Sequence, residues 1–273
     1  LTELIAAPPC KIVDAHTHIY PQKIAEKATQ NVGLFYDIPM CKMGFAHTLV
    51  AEGSKIGVCK YLVCSVATKP EQVQSINEFI ARKCAQYASF FGLATLHPAL
   101  EDWACQIDYL QELGLHGVKL HPDFQAFDID DPVMMPIYRR LAERGLPVLF
   151  HTGDARYDYS APARLRRVAQ AVPTLTCVAA HFGGYQQWEQ SRRDLTDCPN
   201  VFFDTSSALF KLSCAQAEDM IGAMGEDRFM FGTDFPMWDH VQEYNRFMRL
   251  KLSARTREKI FYRNFERIYH AKV

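Results

Sequence analysis

Histidines and aspartates that follow apolar runs are the residues of this chain best suited to chemistry. The first such run leads into Asp14-Ala15-His16-Thr17-His18. His16 and His18 are two apart, so a strand would put both imidazoles on one face, within reach of one ion. Alone, an HxH pair is a weak signal, because a single His at a strand end is more often a satisfied structural residue. Three more runs end similarly, in His151-Thr152-Gly153-Asp154, His181-Phe182-Gly183-Gly184 and Thr233-Asp234-Phe235-Pro236. Jointly they are harder to dismiss, since buried charges aimed at one place are costly unless paired or bound to metal. A divalent ion held there would lower the pKa of bound water from about 15.7 to about 7, supplying hydroxide near neutrality.

These residues need a frame to position them. Short β-branched or aromatic runs at 11–15, 60–66, 90–95, 117–120, 148–150, 175–180, 201–204 and 229–232 read as eight strands. Apolar residues at three- or four-residue steps lie between them, as in Val73, Ile76 and Ile80, or Trp103, Ile107 and Leu110, and read as helices. Gly114 and Gly145 are candidate helix stops, and Ser160 a candidate N-cap before Pro162. Pro132 and Pro136 compete for the first position of one helix. The alternation predicts a single-domain α/β fold over residues 1–273, a (β/α)8 TIM barrel with helices outside and chemistry at the C-terminal strand ends. An open doubly wound sheet would more often carry a Gly-rich phosphate turn after strand one, and none is present. Region 22–55, with Gly33, Pro39 and Gly44, is poorly patterned and reads as a loop or insertion after the first strand.

With 30 Lys+Arg against 31 Asp+Glu and a net charge of -1, the chain has no large field for nucleic acid or anionic lipid. No apolar run approaches the roughly 18 residues of a membrane span. Residues 1–10 are too short and have too little apolar core for a secretory signal, and Leu1 in place of Met reads as an incomplete or processed start. A cytoplasmic location is expected. Nine Cys without CxxC spacing argue against a disulfide framework or a cysteine zinc site.

The ordered set HxH, His, His, Asp, with Gly117-Val118-Lys119-Leu120-His121-Pro122 between, resembles the amidohydrolase superfamily. The likeness is to the subgroup of aminocarboxymuconate-semialdehyde decarboxylase and related lactonases and hydrolases, and it covers nearly the whole chain. It implies His16, His18, His151 and Asp234 as metal ligands. His181 would sit beside the metal-bound water, with Asp234 and His181 as the catalytic proton carriers. Three imidazoles and a carboxylate suit one Zn²⁺ best, although Mn²⁺, Fe²⁺ or Co²⁺ would tolerate the set. In some barrels of the superfamily a strand-four lysine is carbamylated and bridges two metals. Lys119 has that place, but the resembled subgroup is usually mononuclear, so one ion is expected and Lys119 reads as a substrate-anion binder or a buried ion-pair partner.

Lys119, His121, Asp154, Arg156 and His97 are the expected substrate contacts. The His-x-Gly-acid spacing of Asp154 resembles the adenosine deaminase branch, which has Glu there; the other reading is a loop carboxylate paired with Arg156. Arg156, beside Tyr157 and Tyr159, could grip an anion in bidentate fashion. His97 and His121, each before a proline, line the pocket or cap its rim. Tyr20, Phe124, Gln125 and Trp238 could wall it, and Asp14 either orients a ligand or ends the strand. His47, His116, His240 and His270 carry no spacing argument. The expected activity is hydrolysis of a carbonyl in a small, anionic lactone, amide or ester by hydroxide generated at the metal. Nonoxidative decarboxylation and deamination are the alternatives, with a non-enzymatic metal- or ligand-binding barrel the least favoured. The expected partner is a small molecule, and homodimerisation is left open.

Overall fold

The computed structural model describes residues 10–273, so the reading of residues 1–9 lies outside it. Its strands are β1 (Ile12–His18), β2 (Val58–Cys64), β3 (Phe90–Gly92), β4 (Ala94–Thr95), β5 (Val118–Leu120), β6 (Val148–Phe150), β7 (Cys177–Ala179), β8 (Val201–Asp204) and β9 (Phe229–Met230). All pairings between neighbours are parallel. β3 and β4 are two halves of the third expected strand. It changes partner at Leu93, whose N–H donates to Val63 O at 3.0 Å, before Ala94 N–H donates to Gly117 O at 2.9 Å. The ring closes where Thr17 bridges Phe235, with Ala15 N–H on Phe231 O at 2.8 Å and Asp234 N–H on His16 O at 2.9 Å. The expected barrel is therefore present.

Helices α1 (Ala25–Tyr36), α2 (Ala46–Ser54), α3 (Val73–Gln86), α4 (Trp103–Glu112), α5 (Pro122–Gln125), α6 (Met135–Glu143), α7 (Pro162–Ala171), α8 (Trp188–Leu195), α9 (Cys214–Met224), α10 (His240–Met248), α11 (Ala254–Glu258) and α12 (Asn264–Ile268) connect and flank the strands. Both competing prolines are used: Pro132 opens a 3₁₀ turn, Pro132–Met134, and Pro136 sits in the first turn of α6. Gly114 and Gly145 take φ of +68° and +64° after α4 and α6, as helix stops do. Ser160 does not cap α7, which starts from Ala161 without a side-chain bond. No described helix is long and apolar enough to cross a membrane, and all nine cysteines are unpaired.

Region 22–55 is not a loop. α2 is the crossover to β2, and α1 is an added helix whose weak apolar periodicity has a physical cause. It buries only Ala25, Thr29 and Gly33, leaves Leu34 80% exposed, and turns Val32, Phe35 and Tyr36 toward a cavity. Gly33 allows the return of the chain, since a Cβ there would lie 2.9 Å from Ile38 O.

An inner apolar layer of Val13, Ala15, Leu62, Phe91, Leu149 and Val178 fills the lower barrel, against Phe265 and Tyr269 of the C-terminal segment. The pairing of β1 with β2 shifts between Asp14 and Thr17, where three residues of β1 advance against two of β2. Such a bulge re-aims side chains. It lets His16 face the site although its neighbour Ala15 belongs to the inner layer. Asp14 points elsewhere, accepting from Thr233 N–H at 3.0 Å, with its Oδ2 lying 3.0 Å from His240 Nε2 at the start of α10.

At the opposite end, Arg228 donates to the carbonyls of Leu195, Thr196, Cys198, Val201 and Met224 at 2.7 to 3.0 Å. Its removal strands several half-buried carbonyls. Arg228→Leu should lower unfolding free energy by about 2–4 kcal/mol without changing metal content. Denaturant unfolding measures this, and a change below about 0.5 kcal/mol would contradict the clamp.

Candidate metal centre

The closing seam sets His16, His18 and Asp234 side by side. His16 Nε2 is 3.1 Å from His18 Nε2, His18 Nε2 is 3.2 Å from Asp234 Oδ1, and His16 Nε2 is 3.6 Å from that oxygen. Ligands about 2.1 Å from one ion, at tetrahedral or octahedral angles, stand roughly 3.0–3.4 Å apart. Two of the three separations lie in that range and the third is slightly wider, which a small side-chain shift onto a divalent cation would close.

The hydrogen-bond directions make the same point. Asp204 Oδ2 lies 2.8 Å from His16 Nδ1, so that nitrogen carries the proton and Nε2 presents a bare lone pair to His18 and to a carboxylate. Lone pairs converging in this way need a positive charge between them. A proton on His18 supplies one. Burial lowers His18, but the Cys64 sulfur and Asp234 raise it overall to about 9. A metal ion supplies the charge by displacing that proton. Burial alone would raise Asp234, yet His16, His18 and His181 hold it well below the carboxylate range. Asp204 is held to about 2 against the same burial penalty by His16, His181 and Ser206.

Asp204 orders more than one ligand. Its Oδ1 accepts from His181 N–H at 3.1 Å and Ser206 N–H at 3.0 Å. His181 and Asp234 hold left-handed backbone, φ 61° and 59°, a conformation that costs a non-glycine residue about 1–3 kcal/mol. The bonds of their N–H groups to Asp204 and to His16 O offset part of that cost. Ser207 donates to Asp234 Oδ2, and Trp238 Nε1 donates to Ser207 Oγ at 2.8 Å.

His151 and His181 adjoin this triad without joining it. The His181 ring stacks 5.1 Å from that of His16, but its Nδ1 meets the Ser206 carbonyl at 3.1 Å and its Nε2 meets His151 Nδ1 at 3.0 Å. The resemblance implied His151 as a ligand, and its Nε2 instead faces Gly153 O at 3.1 Å, Tyr36 Oη at 3.3 Å and Asp123 Oδ2 at 3.7 Å. Burial pushes His181 down to about 4 and His151 well below its usual range, so both rings are neutral and can present lone pairs.

These groups form one end of a cavity of about 780 Å³. Lys119 and His121 line it, as do Tyr20 and Phe124. Lys119 is fully buried, with Nζ 3.3 Å from His16 Nε2, and burial lowers its pKa. Phe35, Phe79, Ile76 and Met237 supply apolar wall, and Lys27 and Arg82 also line the cavity.

Three expected substrate contacts are corrected. Asp154 and Arg156 pair with each other, Oδ2 to Nη2 at 2.7 Å and Oδ1 to Nε at 2.9 Å, and neither lines the cavity. His97 spends its Nδ1 on Ala99 N–H at 3.1 Å and caps the rim behind the wall. Gln125 is likewise behind the wall, donating to Ala67 O and Leu96 O. Conversely, Asp204 closes an apolar run just as Asp234 follows one, and that signal could have found it. Tyr36 and Asp123 carried no such signal, because one lies on the added helix and the other follows a proline.

The family described as Amidohydrolase matches residues 13–271. No curated protein matches the chain. Among solved structures, an uncharacterized TIM-barrel protein from Bordetella bronchiseptica aligns with TM-score 0.79 and 20% identity, over 94% of this chain and 98% of its own. The 5-carboxyvanillate decarboxylase of Novosphingobium aromaticivorans, complexed with manganese and 4-hydroxy-3-methoxy-5-nitrobenzoic acid, aligns at 0.76 and 16%, over 96% and 97%. A putative 2-pyrone-4,6-dicarboxylic acid hydrolase from Pseudomonas putida aligns at 0.68 and 16%, over 96% and 98%. At these identities the likeness shows the shared barrel.

If Asp204 fixes the tautomer of His16, Asp204→Asn should weaken zinc affinity about 10–100-fold while removing no proposed ligand. Competition against a chelator measures this. Unchanged affinity would sever Asp204 from the centre.

Proposed function

The chain belongs to the amidohydrolase family, and from that premise we propose that it is a metal-dependent hydrolase acting on a carbonyl of a small, anionic lactone, amide or ester. The convergence of His16 Nε2, His18 Nε2 and Asp234 Oδ1 at one end of a largely apolar cavity carries this reading. Zinc is the ion proposed, from the imidazole-rich donor set, with His151 as a further ligand if its ring turns from Gly153. The manganese in the 5-carboxyvanillate decarboxylase of Novosphingobium aromaticivorans keeps Mn²⁺ as a candidate. A divalent ion bound there would polarise the carbonyl and lower the pKa of water toward neutrality.

The chain's own residues supply the remainder. Asp234 stays anionic, with Oδ1 facing the metal point, and its Oδ2, which accepts from Ser207, keeps a lone pair that can take the proton of the attacking water. His181 is neutral and hydrogen-bonded to His151, so it exchanges protons through that ring. Lys119, buried beside the triad, is the cavity cation nearest the metal point and is available to a substrate carboxylate, with Lys27 and Arg82 also on the lining. The apolar wall favours a small unsaturated or aromatic body, with its polar end toward the triad.

Nonoxidative decarboxylation of such an acid is the second reading, favoured by the aromatic wall and by similarity to a 5-carboxyvanillate decarboxylase and a 2,6-dihydroxybenzoate decarboxylase. Here Lys119 would hold the carboxylate; as the C–C bond breaks and carbon dioxide leaves, the carbon would take a proton from His181, which solvent then replaces. Deamination loses its support, since Asp154 is bound to Arg156.

An assay of carbon dioxide release against ring opening, over a panel of small aromatic acids and lactones, separates the two. Ring opening without carbon dioxide is expected, and carbon dioxide without a hydrolysis product would overturn hydrolysis in favour of the second reading. Asp234→Asn should keep part of its metal yet lose at least about 100-fold in kcat, because an amide cannot take the proton; full activity would remove Asp234 as base. His181→Ala should leave metal content near wild type by elemental analysis, and a metal-depleted variant would make His181 a ligand.

A further inference from the structure

The Tyr36 hydroxyl lies between two cavity histidines, 2.8 Å from His121 Nε2 and 3.3 Å from His151 Nε2. Which partner donates is fixed from the His121 side. Phe124 N–H donates to His121 Nδ1 at 3.3 Å, so His121 Nε2 holds the proton and donates to the Tyr36 oxygen. On the other side His151 Nε2 lies 3.1 Å from the Gly153 carbonyl oxygen, which can only accept. Tyr36 therefore keeps one free proton, aimed at the cavity side where His151 lies.

A clamp holds it there. Arg156, gripped by Asp154, donates to the Phe35 carbonyl and lies 4.4 Å over the Phe35 ring and 5.5 Å over the Tyr36 ring. The pair that does not reach the cavity thus fixes the end of α1 that does.

We propose that Tyr36 is a catalytic residue of this site, donating a hydrogen bond to a substrate oxygen at the reacting carbonyl, with Asp154 and Arg156 as its positioning residues. A preorganised donor of this kind stabilises the charge that develops on that oxygen as the carbonyl is attacked. The substrate's carbonyl rests on the hydrolase reading above, whereas the direction of the hydrogen bonds does not.

Two measurements keep these apart. Ring ¹⁵N shifts of the zinc-loaded protein should show His121 with its proton on Nε2, and Tyr36→Phe should move that resonance. A proton on Nδ1 of His121 overturns the proposal, because Tyr36 would then spend its own proton on His121. On any lactone, ester or acid of the panel that the wild type converts, Tyr36→Phe should lower kcat about 100-fold with KM within about threefold. Arg156→Ala should lower kcat about tenfold, and the double variant should be no slower than Tyr36→Phe alone, because Arg156 acts through Tyr36. Undiminished kcat in Tyr36→Phe, or additive losses in the double variant, would overturn it. A wild type inactive on the whole panel counts against the hydrolase reading, and the ¹⁵N measurement still decides the role of Tyr36.

Discussion

Three lone pairs forced together at the seam of the barrel are the constraint on which the site depends. Closure brings the backbone of Asp234 onto His16 O, and the bulge in β1 turns His16 and His18 toward the same point. Asp204 then removes the freedom that would let His16 escape, because its carboxylate requires a proton on Nδ1. Repulsion among Nε2 of His16, Nε2 of His18 and the Asp234 oxygen is relieved by a proton on His18, by Lys119 Nζ 3.3 Å from His16 Nε2, or by a metal ion. Of these, a metal ion satisfies all three groups at once. Left-handed backbone at His181 and Asp234 is the local cost of this convergence.

Around that centre the protein is divided by function. The lower barrel is apolar and sealed, and Arg228 ties loops together at the opposite end through their carbonyls. The upper end is a cavity whose side walls are apolar and whose floor carries Lys119 and the histidines. Helix α1 contributes Phe35 and Tyr36 to the wall, and its end is fixed by the Asp154–Arg156 pair. A triad at strand ends and a wall on an added helix would let substrate choice vary without disturbing the proposed metal ligands.

Much of this was legible in the sequence. The eight runs and their polar endings were read from period and position, because parallel strands buried on both faces leave continuous apolar stretches and a barrel gathers the residues at their C-terminal ends around one mouth. The division of β3 from β4 was not, since a change of hydrogen-bond partner leaves the apolar run intact. Residues 22–55 read as a loop because α1 faces a cavity and solvent instead of a core, which erases the helical stripe. Asp154 and Arg156 were placed in the right loop and their pairing was one of the two readings open there, but spacing alone could not decide between that pair and a substrate contact. Asp204 was missed although it obeys the rule that selected Asp234. The role of Tyr36 depends on contacts with His121 and His151 that are remote in sequence, and no local pattern encodes them.

The central claim is that His16, His18 and Asp234 converge on one divalent ion. X-ray absorption spectroscopy on the zinc-loaded protein tests it most directly. The account predicts one ion per chain in a shell of nitrogen and oxygen at about 2.0–2.2 Å, with the outer scattering of at least two imidazoles. A sulfur scatterer at about 2.3 Å, or an imidazole count unchanged when His16 and His18 are both replaced by alanine, would contradict it.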